Sequence, residues 1–171
     1  VGGSTVHNTN LCKRIPDQIL EQWSHTHRVS NVAPDDLRPS FEQIERELSV
    51  GEMPKSIVSR NNDVLERGVA RLGWKGGPLK HNRRGCQGSG FCELGCVYDA
   101  KENALKVMIP DAIKRGATVV SDARVTRVTH QSGRVNGIEG VLTTKEGHPK
   151  GELRIRANVV VLAASAVGSA M

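Results

Sequence analysis

The chain has 171 residues, a net charge of +6 and 25% charged residues. That length accommodates one domain or a large piece of one, and 37% hydrophobic residues provide for a buried core. The longest apolar run, residues 159–164, is far too short to span a bilayer.

Other broad classes fall away on similar grounds. The basic residues are scattered and aromatics make up only 3%. Single-strand binders need stacking platforms, so a solvated basic surface without a nucleic-acid partner is expected. No basic-then-apolar leader opens the chain, and a cytoplasmic location is expected. Nothing in the sequence speaks for or against attachment to a membrane surface. The chain opens on Val1-Gly2-Gly3 rather than on Met, and stops after a strand-like run enters a small-residue turn. It reads as an internal segment whose first partner is the remainder of the same polypeptide.

Residues 1–100 read as irregular and turn-rich, with short helices. Ile15, Ile19, Leu20 and Trp23 recur at helical spacing, with Pro16 in the first turn. A Pro-Asp-Asp turn at residues 34–36 precedes a helix over 40–49, carrying Phe41, Ile44 and Leu48 on one face. A further helix is expected over 63–72, with Asp63 and Glu66 as a capping pair and Gly73 as its C-terminal cap. Leu65, Val69 and Leu72 form its buried stripe. Residues 73–95 hold seven glycines and no helical period, and read as loop.

Residues 101–171 read as a helix, a meander and a returning strand. Asp99 and Glu102 have capping spacing. Leu105, Met108, Ile109, Ala112 and Ile113 make a stripe ended by Gly116, and Pro110 should kink or divide that helix. Strands are expected over 117–120, 123–130, 134–144 and 153–156, with turns at Ser132-Gly133 and 146–151. Residues 158–164 are apolar throughout, like a strand buried on both faces of a parallel sheet. The simplest assembly is an α/β domain with a small antiparallel sheet.

Three stretches could carry chemistry. In the opening loop, Gly2 and Gly3 let backbone N–H groups approach an anion. Ser4, Thr5, Asn8 and Asn10 add neutral polar groups there. The same pattern also makes ordinary turns. The second stretch groups Cys86, Cys92 and Cys96 within eleven residues, with His81 upstream. Its spacing is near that of zinc ligands but lacks paired two-residue gaps. A zinc-stabilised module on these four residues is therefore the alternative to a disulfide or packed free thiols. No metal is the preferred expectation. The third stretch is the run 159–164 with its exit turn, where open α/β sheets bind ligands.

Jointly the three resemble the glucose–methanol–choline (GMC) oxidoreductases, which use FAD to oxidise alcohols. Gly2-Gly3-Ser4-Thr5-Val6-His7-Asn8 resembles that family's flavin loop. The cysteine run with Ala100-Lys101 is similar to the branch containing long-chain alcohol oxidases. Ile109-Pro110-Asp111-Ala112, Ala123-Arg124-Val125 and the run 159–169 resemble its helix, adenine-side strand and flavin-returning strand.

The resemblance implies a Rossmann-like FAD-binding domain across 1–171, with a small antiparallel meander. Gly2, Gly3, Ser4, Thr5, His7, Asn8, Asn10, Val125, Ala164 and Ser165 would line the cofactor. It implies hydride transfer from a small-molecule alcohol to flavin N5, with the catalytic base outside this chain. His7 fits a histidine that binds the flavin covalently in some relatives, or else hydrogen-bonds near the ring edge. Ser165 departs from the family, which usually has glycine there.

Overall fold

The computed structural model describes residues 1–170, which divide into two compact units, Val1–Ala117 and the residues from Thr118 onward.

In the first unit, α1 (Asp17–His25) begins just after Pro16, with an acid in its first turn and a histidine in its last, matching the helix dipole. Leu20, from its apolar stripe, is fully buried. α2 (Pro34–Glu47) starts at Pro34 rather than Ser40, so the expected Pro-Asp-Asp turn is instead the helix's first turn. Proline suits that position because its missing N–H has no intrahelical acceptor, and the Asp36 carboxylate accepts the Ala33 N–H at 3.1 Å. Arg14 donates to both oxygens of Glu45 at 2.8 and 2.7 Å and lies over Phe41, tying the chain before α1 to α2.

β1 (Val50–Glu52) pairs antiparallel with β2 (Lys80–Asn82), which interrupts the expected loop 73–95. Strands of three residues show too little alternation to be read. Between them lies α3 (Arg60–Arg71), which starts three positions before Asp63. Asp63 therefore does not cap; it faces Arg67 at 3.4 Å. The other end is as expected. Gly73 takes φ +67, the Gly73 N–H reaches the Ala70 carbonyl, and the Trp74 N–H reaches the Val69 carbonyl. That double closure needs a left-handed residue, which glycine adopts without strain. The stripe of α3 is not buried, since Leu65 and Leu72 are exposed. Amphipathic spacing marks a face that seeks cover; it does not supply the covering element.

α4 (Met108–Lys114) is shorter than expected. A separate turn over 103–107 precedes it, and Pro110 falls in its first turn. Asp99 does not cap it; at φ +48 it sits in a turn and pairs with Lys106 at 3.3 Å. Gly116, at φ +95, ends the helix with the same double closure seen at Gly73.

The second unit holds an antiparallel sheet in the order β3 (Ala123–Gln131), β4 (Arg134–Thr143), β5 (Pro149–Arg156). Ser132 and Gly133, both at positive φ, make the two-residue turn whose twist suits a hairpin. One cross-strand row is charged: Arg127 and Arg154 flank Glu139, and the hydrogen bond from Arg127 holds its carboxyl below the usual range. The next row, Val128, Ile138 and Ile155, is apolar and points to the other face. β3 carries two register shifts, and Gly140 and Gly137 of β4 sit opposite them. A Cβ at either would collide with a carbonyl oxygen of the neighbouring strand, Arg124 for Gly140 and Ile155 for Gly137.

Two expectations fail here. Residues 117–120 form no strand. Residues 158–164 are not a buried parallel strand: they pair with no strand among the described residues, and Val159 and Val161 are about four-fifths exposed. An apolar run signals burial, but a strand also needs partner backbone groups. The mixed α/β class with small antiparallel sheets stands. Among the described residues, no helix is long and apolar enough to cross a membrane.

Candidate functional site

The opening loop is held in shape by its own polar side chains and by a distant segment. Gly2 adopts φ +95, and a Cβ there would come within 2.7 Å of Val6 and 2.9 Å of Leu105, so only glycine fits. Gly3–Thr5 forms a 3₁₀ turn. The Thr5 hydroxyl donates to the Gly2 carbonyl at 2.5 Å and accepts the Ala104 N–H at 3.1 Å. The Asn8 amide donates to the Thr5 carbonyl, and its Oδ1 accepts the Asn10 N–H at 2.7 Å. Asn10, at φ 70, is buried. Its Nδ2 lies 3.5 Å from His81 Nδ1 and 3.8 Å from Cys92 Sγ.

The cysteine-rich stretch closes against this loop. Arg83 and Lys101 form a bridge at its base, and the Arg84 N–H donates to the Ala100 carbonyl at 2.8 Å. The Asn82 amide donates to the Glu102 carbonyl at 2.5 Å. Lys101 then joins both loops, donating to the carbonyls of Asn8 at 2.9 Å and Cys92 at 3.0 Å.

All four cysteines are free thiols. Cys86, Cys92 and Cys96 line a cavity of about 120 Å³ with Asn10, Arg83 and Lys101. Each of the three sulfurs accepts an N–H: Cys86 from Gly88, Cys92 from Asn10, and Cys96 from Ala100 at 3.3 Å. Burial pushes the Cys96 thiol up, but the N–H groups of Ala100, Lys101 and Tyr98 outweigh it and bring the thiol below its ordinary value. Burial, aided by Arg83, lowers the His81 imidazole. Among the described residues no three His, Cys, Asp or Glu side chains are placed to hold a metal ion. The zinc reading of His81, Cys86, Cys92 and Cys96 therefore has no assembled ligand set.

The loop presents one face outward. Gly3, Ser4 and His7 are exposed, and a Cβ on Gly3 would meet nothing within 4 Å. Thr5, although exposed as well, spends its hydroxyl on the Gly2 and Ala104 main chain, and the half-buried Asn8 and buried Asn10 fix the backbone from behind. Glycine backbone flanked by neutral polar groups suits a ligand carrying phosphate and carbonyl groups, and so fits a flavin dinucleotide.

The other expected contacts lie in the second unit. Val125 sits on β3 at a register shift, opposite Gly140. Bulges of this kind re-aim backbone and side chains. The Ala164 N–H is held by the Ser169 hydroxyl at 3.0 Å, at the start of the four-residue α5 (Ser165–Gly168). Ser165 takes φ +66, the conformation that glycine would adopt freely. Sequence reasoning missed the roles of Lys101, Asn82 and Arg83. The only available signal was the Ala100-Lys101 pair that trails the cysteines.

The sequence profile described as GMC oxidoreductase matches residues 1–171. The chain belongs to the GMC oxidoreductase family, whose N-terminal region binds FAD. It is 33% identical over 97% of its length to an uncharacterized GMC-type oxidoreductase of Mycobacterium tuberculosis, covering 26% of that protein. A Sinorhizobium fredii GMC-type oxidoreductase is 28% identical over 98% of this chain and 33% of its own length. A long-chain-alcohol oxidase of Arabidopsis thaliana is 23% identical over 98% of this chain and 23% of its own length. The chain thus spans a quarter to a third of these relatives. No solved structure matches it.

Proposed function

We propose that the full-length protein oxidises an alcohol at its CH–OH carbon with FAD as hydride acceptor, and that this chain forms part of a Rossmann-like FAD-binding domain. The observation that carries the reading is the outward face of Gly3, Ser4 and His7 on a loop locked from behind, in a chain that matches the family along its whole length. When bound, FAD supplies the hydride-accepting N5; the protein positions and tunes it.

In this reading Gly2 and Gly3 bring backbone close to the cofactor, and Ser4 offers a hydroxyl beside it. Thr5, Asn8 and Asn10 keep that backbone rigid. Val125 meets the adenine side through its main chain, and Ala164 and Ser165 make a second contact. The base that takes the hydroxyl proton lies outside this chain, so the isolated segment is inactive. A cytoplasmic location, no nucleic-acid partner and no metal in the cysteine loop belong to the same reading. Long-chain alcohols are the first substrates to try, because distant relatives carry that name.

The purified full-length protein should be yellow and release FAD rather than FMN. A colourless protein that FAD cannot reconstitute overturns the assignment. Acid denaturation then tests His7. Flavin retained on the His7 peptide establishes a covalent link from the imidazole. Complete release leaves His7 as a hydrogen-bonding neighbour, and His7→Ala should then weaken cofactor binding by about 1 kcal/mol.

A further inference from the structure

Lys101 and Glu102 are neighbours, both buried, and their side chains face opposite environments. Glu102 meets cations, Arg84 at 3.9 Å and Lys106 at 3.7 Å. Lys101 meets none of the opposite sign: among the described residues no carboxylate oxygen lies within 4.0 Å of its ammonium. It donates instead to two neutral main-chain carbonyls, Asn8 in the opening loop and Cys92 in the cysteine loop. Burying an ammonium without a counter-charge is costly, and two neutral acceptors offset only part of that cost. A methionine or leucine would fill the same space without the penalty. What the ammonium adds is a joint between two carbonyls, Asn8 and Cys92, from segments 84 residues apart in sequence.

The Asn8 carbonyl is the point where that joint matters. Asn8 lies directly after the exposed His7 and two positions before the buried Asn10, so pinning its main chain limits the directions in which His7 can project. The other ties on the loop act nearer its start: Thr5 to Ala104, and Gly2 against Leu105. Past Asn10 the chain pairs with β2 through the Leu11–His81 bridge and the Cys12 N–H to the Lys80 carbonyl at 3.0 Å. Between Thr5 and Asn10 the tie to another segment is therefore the one from Lys101 to the Asn8 carbonyl, beside the long contacts from Asn10 to His81 and Cys92.

We propose that Lys101 is a positioning residue for FAD, holding the His7–Asn8 segment in its cofactor-ready geometry by clamping the Asn8 carbonyl to the cysteine loop. The proposal rests on the FAD reading for its consequence, but the clamp itself does not need the cofactor. Its effect should therefore be visible in protein without flavin.

The test uses full-length protein carrying Lys101→Met, Lys101→Arg or Leu20→Ala. Leu20 is fully buried in α1 and is not among the residues lining the cysteine cavity, so its truncation is the control for a general loss of stability. In flavin-free protein, Lys101→Met should speed amide hydrogen exchange in residues 3–10 by about tenfold or more, the loss expected for hydrogen bonds from a charged donor. Leu20→Ala should leave that segment's exchange relative to its neighbours unchanged. In the same variants, Lys101→Met should raise the FAD dissociation constant by about tenfold and alter the visible circular dichroism of the bound flavin. Lys101→Arg should restore part of both.

Equal losses of affinity in Lys101→Met and Leu20→Ala, or unchanged exchange in residues 3–10, overturn the clamp. A wild-type protein that binds no FAD overturns the functional reading alone, and the exchange measurement still decides the clamp.

Discussion

The meander of the second unit joins residues that are neighbours in sequence. Gln131 faces Arg134 across a two-residue turn, and Arg127, Glu139 and Arg154 share one row. The clasp of the first unit joins residues far apart, Asn8 to Lys101 and Thr5 to Ala104. The meander is held by a backbone ladder with alternating faces. The clasp is held by single polar side chains reaching main-chain carbonyls and N–H groups, around buried Asn10, Asn82, Lys101, Glu102 and Asn103. A ladder repeats one interaction, so losing a row leaves the next in place. A clasp of single bonds has no such reserve, and each member fixes a different piece of loop. That is a suitable construction for a surface that must present one backbone shape to a ligand.

The comparison can be broken at the point where the ladder has no slack. Gly140 lies opposite the first register shift of β3, and a Cβ there runs into the Arg124 carbonyl. Gly140→Val should destabilise the sheet by about 3 kcal/mol, the upper part of the range for overpacking. Hydrogen exchange of the β4 amides should report that loss while the Asn10 and Lys101 amides keep their protection. Loss of protection in both places would mean that ladder and clasp are one cooperative structure.

A smaller effect, of opposite sign, is expected at the start of α5. Ser165 holds φ +66, where a side chain is crowded against its own carbonyl. Ser165→Gly should stabilise the second unit by about 1 kcal/mol, read as a rise in melting temperature. A fall would mean that the hydroxyl makes a contact worth more than the strain.

The smallest effect is the pH dependence of the clasp. His81 is only partly buried, and burial together with Arg83 depresses its pKa. The folded protein therefore resists protonating it, while the unfolded chain takes up the proton near pH 6.5. The stability contributed by neutral His81 is full above that value and declines as the pH falls toward the depressed folded value. Protonation at Nδ1 would also remove the acceptor that faces the Asn10 amide. In His81→Asn, the slope of stability against pH below about 6.5 should be shallower than in the wild type. An unchanged slope would show that His81 does not titrate with folding.

Much of this was legible in the sequence where the governing interaction is local. Gly73 and Gly116 announced helix ends because a left-handed closure strongly favours glycine, and both helices end there. Ser132-Gly133 announced a hairpin because its turn requires two positive φ values. The start of α2 was misread because Pro34-Asp35-Asp36 has the composition both of a turn and of a first helical turn. β1 and β2 were missed because three residues carry no period. The opening loop was legible as a motif through Gly2, Gly3, Ser4 and Asn8, but not the division of labour within it, in which the side chains of Thr5, Asn8 and Asn10 hold the shape while Gly3, Ser4 and His7 stay exposed.

The sequence by itself determined the family, the helix ends, the hairpin and the small-residue chemistry of the opening loop, because each depends on residue type at short spacing. Only the tertiary structure decided that Lys101 reaches Asn8, that three thiols share one cavity, and that residues 158–164 pair with no strand among the described residues. Those outcomes depend on which distant backbone groups are present to be paired. Hydrophobicity and spacing state that a group must be satisfied; the fold alone decides by what.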